Sequence, residues 1–145
     1  MAELYVLDTS AILAFTDAEP GAGEVRRLLE EARAGRCRIL ACSITIMELF
    51  YTTLRERDED QAARLVALVK SWPISWVEPE ERVLLQAGRL KACYRLSVAD
   101  ALIAAVAKLY QAVLVHKDPE LESLGHEVRP LSLPFKKSPT TDLGA

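Results

Sequence analysis

Four carboxylates stand among neighbours that do not ordinarily tolerate them: Asp8, Glu48, Asp100 and Asp118. Asp8 falls between the apolar stretches Tyr5-Val6-Leu7 and Ala11-Ile12-Leu13, and Glu48 lies within Ile44-Thr45-Ile46-Met47-Glu48-Leu49-Phe50. Asp100 is the one acid in the alanine-rich stretch from Val98 to Tyr110, and Asp118 comes shortly after Ala112-Val113-Leu114-Val115. Burying a lone carboxylate is costly. Singly, each acid has an ordinary explanation. Asp8 could cap a helix, although Thr9 and Ser10 are equally able to do so. Thr45 with Glu48, and Ser97 with Asp100, each scan as a capping box, and Asp118-Pro119 as the start of a turn. Together they are harder to dismiss. Clustered carboxylates repel one another and take up protons unless cations hold them ionised. Oxygen donors of this kind suit magnesium or manganese, and no set of histidines and thiolates points to zinc. Two such ions about 3.5 to 4 Å apart can activate a water and stabilise the leaving oxygen in phosphodiester cleavage.

Such a cluster requires elements that bring distant residues to one edge. Leu4 to Leu7, Cys37 to Cys42, Ile74 to Val77 and Ala112 to Val115 are short apolar runs that read as buried strands, with a last strand over Glu127 to Leu131. Helical spacing or composition marks Ala11 to Ala18, Glu24 to Ala34, Ile44 to Arg57, Gln61 to Lys70, Pro79 to Tyr94 and Val98 to Tyr110, with a helical turn over Glu120 to Leu124. Pro79 is expected at the first turn of its helix, and Asp58-Glu59-Asp60 as a solvated break or acidic first turn. Strands alternating with helices imply a parallel sheet of about five strands with helices on both faces. In that architecture ligands bind beyond the carboxyl ends of the strands, and each of the four acids falls at a predicted strand end or in the first turns of the following helix.

A chain of 145 residues fits one domain. The expected boundaries are a domain over residues 1–133 and a polar, flexible tail over 134–145. No apolar run approaches the roughly 18 residues of a membrane span. The amino-terminal stretch has no basic segment with a small-residue cleavage site, so a cytoplasmic protein is expected. Cys37, Cys42 and Cys93 are odd in number, lack zinc-site spacing and are expected as buried free thiols. The formal charge of -3 gives no whole-molecule attraction for nucleic acid. Bound divalent ions would reverse that locally, and Arg55, Arg57, Lys91, Arg95 and Lys117 are candidates to hold a flanking backbone, Lys117 the best placed. His116 and His126 have no serine or cysteine nucleophile pattern beside them.

The segments Leu7-Asp8-Thr9-Ser10-Ala11-Ile12-Leu13, Met47-Glu48-Leu49, Leu96 to Ala104 and Val115-His116-Lys117-Asp118-Pro119-Glu120 resemble, in order and approximate spacing, the motifs of the PIN-domain ribonucleases. Within these, the chain is most similar to VapC-type toxins. The resemblance covers about residues 4 to 131. It implies a PIN-like three-layer α/β sandwich and metal ligands at Asp8, Glu48, Asp100 and Asp118. One or two magnesium or manganese ions per site would serve RNA cleavage. Thr9 or Ser10 would support the site by hydrogen bonding, and Glu120 is a possible extra carboxylate. It further implies a homodimer and a cognate antitoxin that inserts a segment into the active-site groove. The apolar stripes of Ile44 to Tyr51 and Val83 to Leu90 could serve the dimer or simply be core. Where relatives often carry threonine two residues before the last aspartate, this chain has His116.

Two rival readings remain. A phosphoaspartate receiver would need an acidic pair beside the first strand, where only Asp8 stands, and a phosphatase with Asp-x-Asp fails at Ser10. A PIN-like module that binds RNA or a partner without cutting is the second rival, against which stand carboxylates at all four positions.

Overall fold

The computed structural model describes residues 2–135; the tail expected over 134–145 lies, from residue 136 onward, outside the described residues. Among the described residues, five strands alternate with six α-helices: β1 (Glu3–Leu7), α1 (Thr9–Thr16), α2 (Ala22–Arg33), β2 (Cys37–Cys42), α3 (Ile44–Glu56), α4 (Glu59–Lys70), β3 (Ile74–Val77), α5 (Glu81–Cys93), α6 (Val98–Leu109), β4 (Val113–His116) and β5 (Arg129–Ser132). A 3₁₀ segment, Pro119–Glu127, joins β4 to β5. The strands form one sheet in the order β3-β2-β1-β4-β5, every pair parallel.

Alternation along the strands divides the core between the two faces. Val6, Leu40, Cys42 and Leu114 pack with α5 and α6, while Leu7, Ile39 and Val115 pack with α1 and α2 and with Leu49 and Val69 of α3 and α4. Ala101, Ala104, Ala105 and Ala107 of α6 are all buried, which lets this helix lie close to the sheet. From β1 the chain moves outward through β2 to β3, then returns to the other side of β1 as β4 and continues to β5. The direction of winding therefore reverses between β1 and β4. Such a switch point opens a crevice at the carboxyl ends of the two strands, immediately before Asp8 and Asp118. Asp8 N–H extends the pairing there by donating to the Val115 carbonyl over 2.9 Å.

Several local expectations need correction. Asp8 itself caps α1, which begins at Thr9 instead of Ala11, because its carboxylate accepts the Ser10 N–H. Pro79 lies before α5, with Glu80 as N-cap, so it leads into the helix without entering its first turn. Cys37 and Cys42 are buried, but Cys93 is exposed at the end of α5. The acidic first turn expected at Asp58-Glu59-Asp60 is present: Asp58 caps α4 by accepting the Gln61 N–H, and Glu59 and Asp60 fill its first turn. Among the described residues, no helix is long and apolar enough to cross a membrane.

Candidate metal centre at the switch point

Asp8, Asp100 and Asp118 converge: one carboxylate oxygen from each lies within 4.8 Å of the others. Their routes differ. Asp8 follows β1 and is 2% exposed. Asp118 follows β4 and caps the 3₁₀ segment, its Oδ1 accepting the Glu120 N–H over 3.0 Å. Asp100 enters from the first turn of α6, whose own N-cap is Ser97, accepting the Asp100 N–H over 3.1 Å. The half of a capping box that Ser97 supplies is thus present, while the Asp100 carboxyl turns to the cluster.

The two oxygens of Asp8 have different fates. Oδ2 takes hydrogen bonds from the Ser10 N–H, at 3.0 Å, and from the Ser10 hydroxyl. Oδ1 is buried with no hydrogen-bond partner among the described residues. A buried carboxylate oxygen left unpartnered is uncommon and asks for an occupant. Capping and ligation are therefore not alternatives at Asp8, since one oxygen is committed to the helix and the other is spare.

Electrostatics point the same way. Burial, reinforced by the charges of Glu48 and Asp118, pushes Asp8 up to about 6 despite the lowering hydrogen bonds from Ser10. Burial also raises Asp100, to about 9, with further contributions from the charges of Asp8 and Asp118 and from hydrogen bonds with Asp118 and Glu120. Three acids in this space cannot all be ionised near neutrality without a compensating cation. Three hard oxygen donors, one of them spare and buried, fit magnesium or manganese and give no soft ligand for zinc.

Glu48 is not one of the three converging acids. It is half-buried on α3, and its Oε1 accepts the Thr9 hydroxyl over 2.6 Å. Thr9 Oγ1 is also 3.1 Å from Thr45 Oγ1. Thr45 sits inside α3, which begins after Ser43, so the capping box read from Thr45 and Glu48 does not form. Glu48 flanks the cluster closely enough for its charge to raise Asp8. Glu120 is exposed and reaches Asp100.

Ser10 ties the first turn of α1 to the loop after β4, because its hydroxyl also accepts the Lys117 N–H over 2.8 Å. The Lys117 ammonium, best placed by sequence to meet a substrate backbone, donates instead to the Pro20 carbonyl at 2.8 Å and to Glu19 at 3.4 Å. Lys91 similarly donates to the Leu96 carbonyl, and Arg55 stacks over Tyr51. His116 is fully buried, and burial holds its imidazole below the usual range. Sequence reasoning missed Thr45, Glu19, Ser132 and Glu122 as partners of site residues, and no local motif announces them. A groove of about 1020 Å³ adjoins the cluster, running from Ser10, Lys117 and Pro119 past α1 to Thr53 and Glu56 of α3 and Gln61 of α4.

Fold and cluster together define a parallel α/β protein with an acidic centre at its switch point. The chain belongs to the PIN-domain family, whose sequence model matches residues 5–127. That membership sets aside the receiver reading. No curated protein matches the chain in sequence. Among solved structures it resembles VapBC2 from Rickettsia felis bound to a promoter DNA fragment, at 17% identity and TM-score 0.71, covering 90% of this chain and 99% of that one. It also resembles Mycobacterium tuberculosis VapC20, described as a Sarcin-Ricin loop cleaving toxin, at 19% identity and TM-score 0.65, covering 87% and 99%. PAE2754 from Pyrobaculum aerophilum is 26% identical with TM-score 0.59, over 90% of this chain and 85% of that one.

Proposed function

We propose that the chain is a magnesium- or manganese-dependent endoribonuclease and the toxin of a toxin–antitoxin pair. The observation that carries this reading is the convergence of Asp8, Asp100 and Asp118 around the spare Asp8 Oδ1. These three would hold one or two ions, with Glu48 and Glu120 at the margin. A bound divalent ion supplies an activated water and charge stabilisation for phosphodiester hydrolysis. The protein's own part is positional. Ser10 fixes the Asp8 carboxylate and the loop after β4, and Thr9 holds Glu48 toward the cluster. The groove beside Ser10, Lys117 and Pro119 would lead a single-stranded or looped RNA backbone up to the acids, since an unstacked strand is more easily splayed into a shallow site than a duplex.

Support for the toxin reading comes from the VapC20 neighbour described as cleaving the Sarcin-Ricin loop, and from VapBC neighbours whose names pair toxin with antitoxin. By the same reasoning, a cognate antitoxin would occupy the groove and close off the acids. The expected homodimer has candidate surfaces. Each apolar stripe is split: Leu49, Val83, Ala87 and Leu90 are core, whereas Met47, Tyr51, Leu84 and Leu85 are exposed. The exposed members are the residues to pair with a second copy.

Incubating the purified chain with RNA in EDTA or in manganese tests the reading directly. Cutting in manganese alone, with growth arrest on induction, is the expected outcome. Equal cutting in EDTA overturns the metal mechanism.

A further inference from the structure

His116 ends β4 two residues before Asp118, and both of its ring nitrogens are engaged. Asp118 N–H donates to Nδ1 over 3.2 Å. On the far edge of the ring, Nε2 lies 3.4 Å from Ser132 Oγ, and that hydroxyl donates to the Glu122 carboxylate. The Leu133 N–H adds a main-chain tie, donating to the His116 carbonyl over 2.8 Å.

Only one arrangement of hydrogens satisfies the whole chain of contacts. Nδ1 must be bare to accept an amide hydrogen, so the ring hydrogen sits on Nε2. Ser132 Oγ can accept that hydrogen because its own goes to Glu122. A carboxylate at the end of such a chain polarises each link and makes Nδ1 the better acceptor. The amide of Asp118 is thereby fastened, through a buried ring, to β5 and to the 3₁₀ segment. Since Asp118 Oδ1 already accepts the Glu120 N–H, the backbone at Asp118 decides where its carboxylate is presented to Asp8 and Asp100.

We propose that His116 is a positioning residue for Asp118, acting through the bare Nδ1 that accepts the Asp118 amide, with Ser132 and Glu122 fixing the tautomer. The inference rests on the metal-site reading given above. Neither nitrogen is free to handle a substrate proton, so His116 acts only through Asp118.

Two substitutions separate the ring's edges. Asparagine places an acceptor about where Nδ1 stands, whereas glutamine places its amide about where Nε2 stands. Manganese binding, measured by calorimetry, is expected to stay within about threefold of wild type in His116→Asn and to weaken about tenfold or more in His116→Gln. The two variants are expected to melt alike in EDTA. Equal manganese affinities for Asn and Gln overturn the inference. Nitrogen-15 spectra of the wild type are expected to show the Nε2–H tautomer; a hydrogen on Nδ1 overturns it equally. Should neither His116 variant fold, Ser132→Ala, at the exposed end of β5, is decisive: a severalfold loss of affinity is expected, and wild-type affinity overturns the role. A wild type that binds no manganese defeats the metal-site reading and this inference together, whereas wild-type binding with Asn and Gln indistinguishable defeats His116 alone.

Discussion

Thr9 donates to Glu48 over 2.6 Å, joining the first turn of α1 to the second turn of α3 across 39 positions of sequence. Thr9 is buried while Glu48 keeps partial access to water. The hydroxyl therefore chooses among orientations that the carboxylate could otherwise exchange freely. Thr9→Val keeps the shape and removes the donor. Manganese affinity is expected to fall about tenfold, with a stability loss of about 1 kcal/mol. Thr9→Ser keeps the donor and is expected to retain the affinity. Calorimetric titration of both variants checks the pair, and equal affinities would break the link between Thr9 and the site.

The sequence was most legible where one physical cause dominates. β2 is legible to the residue because a parallel strand buried on both faces leaves an apolar run, Arg38 excepted, and β3, an edge strand with Ser75 exposed, is legible to the residue as a short run between Pro73 and Glu78. Asp8, Glu48 and Asp100 stand out because each interrupts an apolar run, and Asp118 because it follows one. Side-chain commitments were less legible. Asp8, Thr9 and Ser10 are all capable caps, and only the three-dimensional turn assigns the role to Asp8. Lys117 reads as a free cation until α1 and α2 bring Glu19 and Pro20 to it, almost a hundred positions away. Glu48 reads as an equal of the aspartates, yet its hydroxyl partner holds it at the edge of the cluster.

Lys117 gives a prediction opposite to its apparent role. Its side chain is only 5% exposed and its ammonium is held by Glu19 and the Pro20 carbonyl. Lys117→Met is expected to destabilise the link between α1 and α2 by about 1 to 2 kcal/mol. The salt dependence of RNA binding is expected to stay level, since a cation that neutralises a phosphate contributes about 0.7 to the slope for a single strand. Filter binding over a salt series, in an Asp100→Asn background to prevent cleavage, reads this out. A slope reduced by about 0.7 would show that Lys117 leaves Glu19 for the RNA.

The raised carboxyls make stability depend on pH in the absence of metal. Asp8 and Asp100 stand at about 6 and about 9, against 3.8 for an ordinary aspartate. The folded state thus holds protons that the unfolded chain releases. Their stabilising contribution is complete below about pH 4 and is lost as pH rises through the folded values. Between about pH 7 and pH 9, above the ordinary imidazole range, Asp100 governs, and the loss is on the order of 2 kcal/mol. Melting in EDTA is expected to fall by roughly 4 °C or more over that window, and excess manganese to flatten the fall. A flat profile in EDTA would mean that the acids are not crowded in solution.

Asp100→Asn distinguishes a ligand from a helix-start residue, because the two roles place opposite demands on one side chain. The cap of α6 is Ser97, which accepts the Asp100 backbone N–H, and that bond survives any substitution that keeps the helix. Asparagine is nearly isosteric with a protonated aspartic acid, the form that Asp100 takes below about pH 9 without metal. Its side-chain NH₂ can take over hydrogen bonding toward Asp118 and Glu120, and it adds no charge to the repulsion on Asp8. The metal-free melting temperature is therefore expected to stay level or rise, and the decline toward pH 9 to disappear. Metal binding makes the reverse demand, since losing one anionic oxygen of three weakens the hold on a divalent cation. Cleavage and growth arrest are expected to be abolished, with manganese no longer raising the melting temperature. Wild-type cleavage combined with a lowered melting temperature would show that Asp100 serves only the start of α6, and the assignment of the metal centre would fall with it.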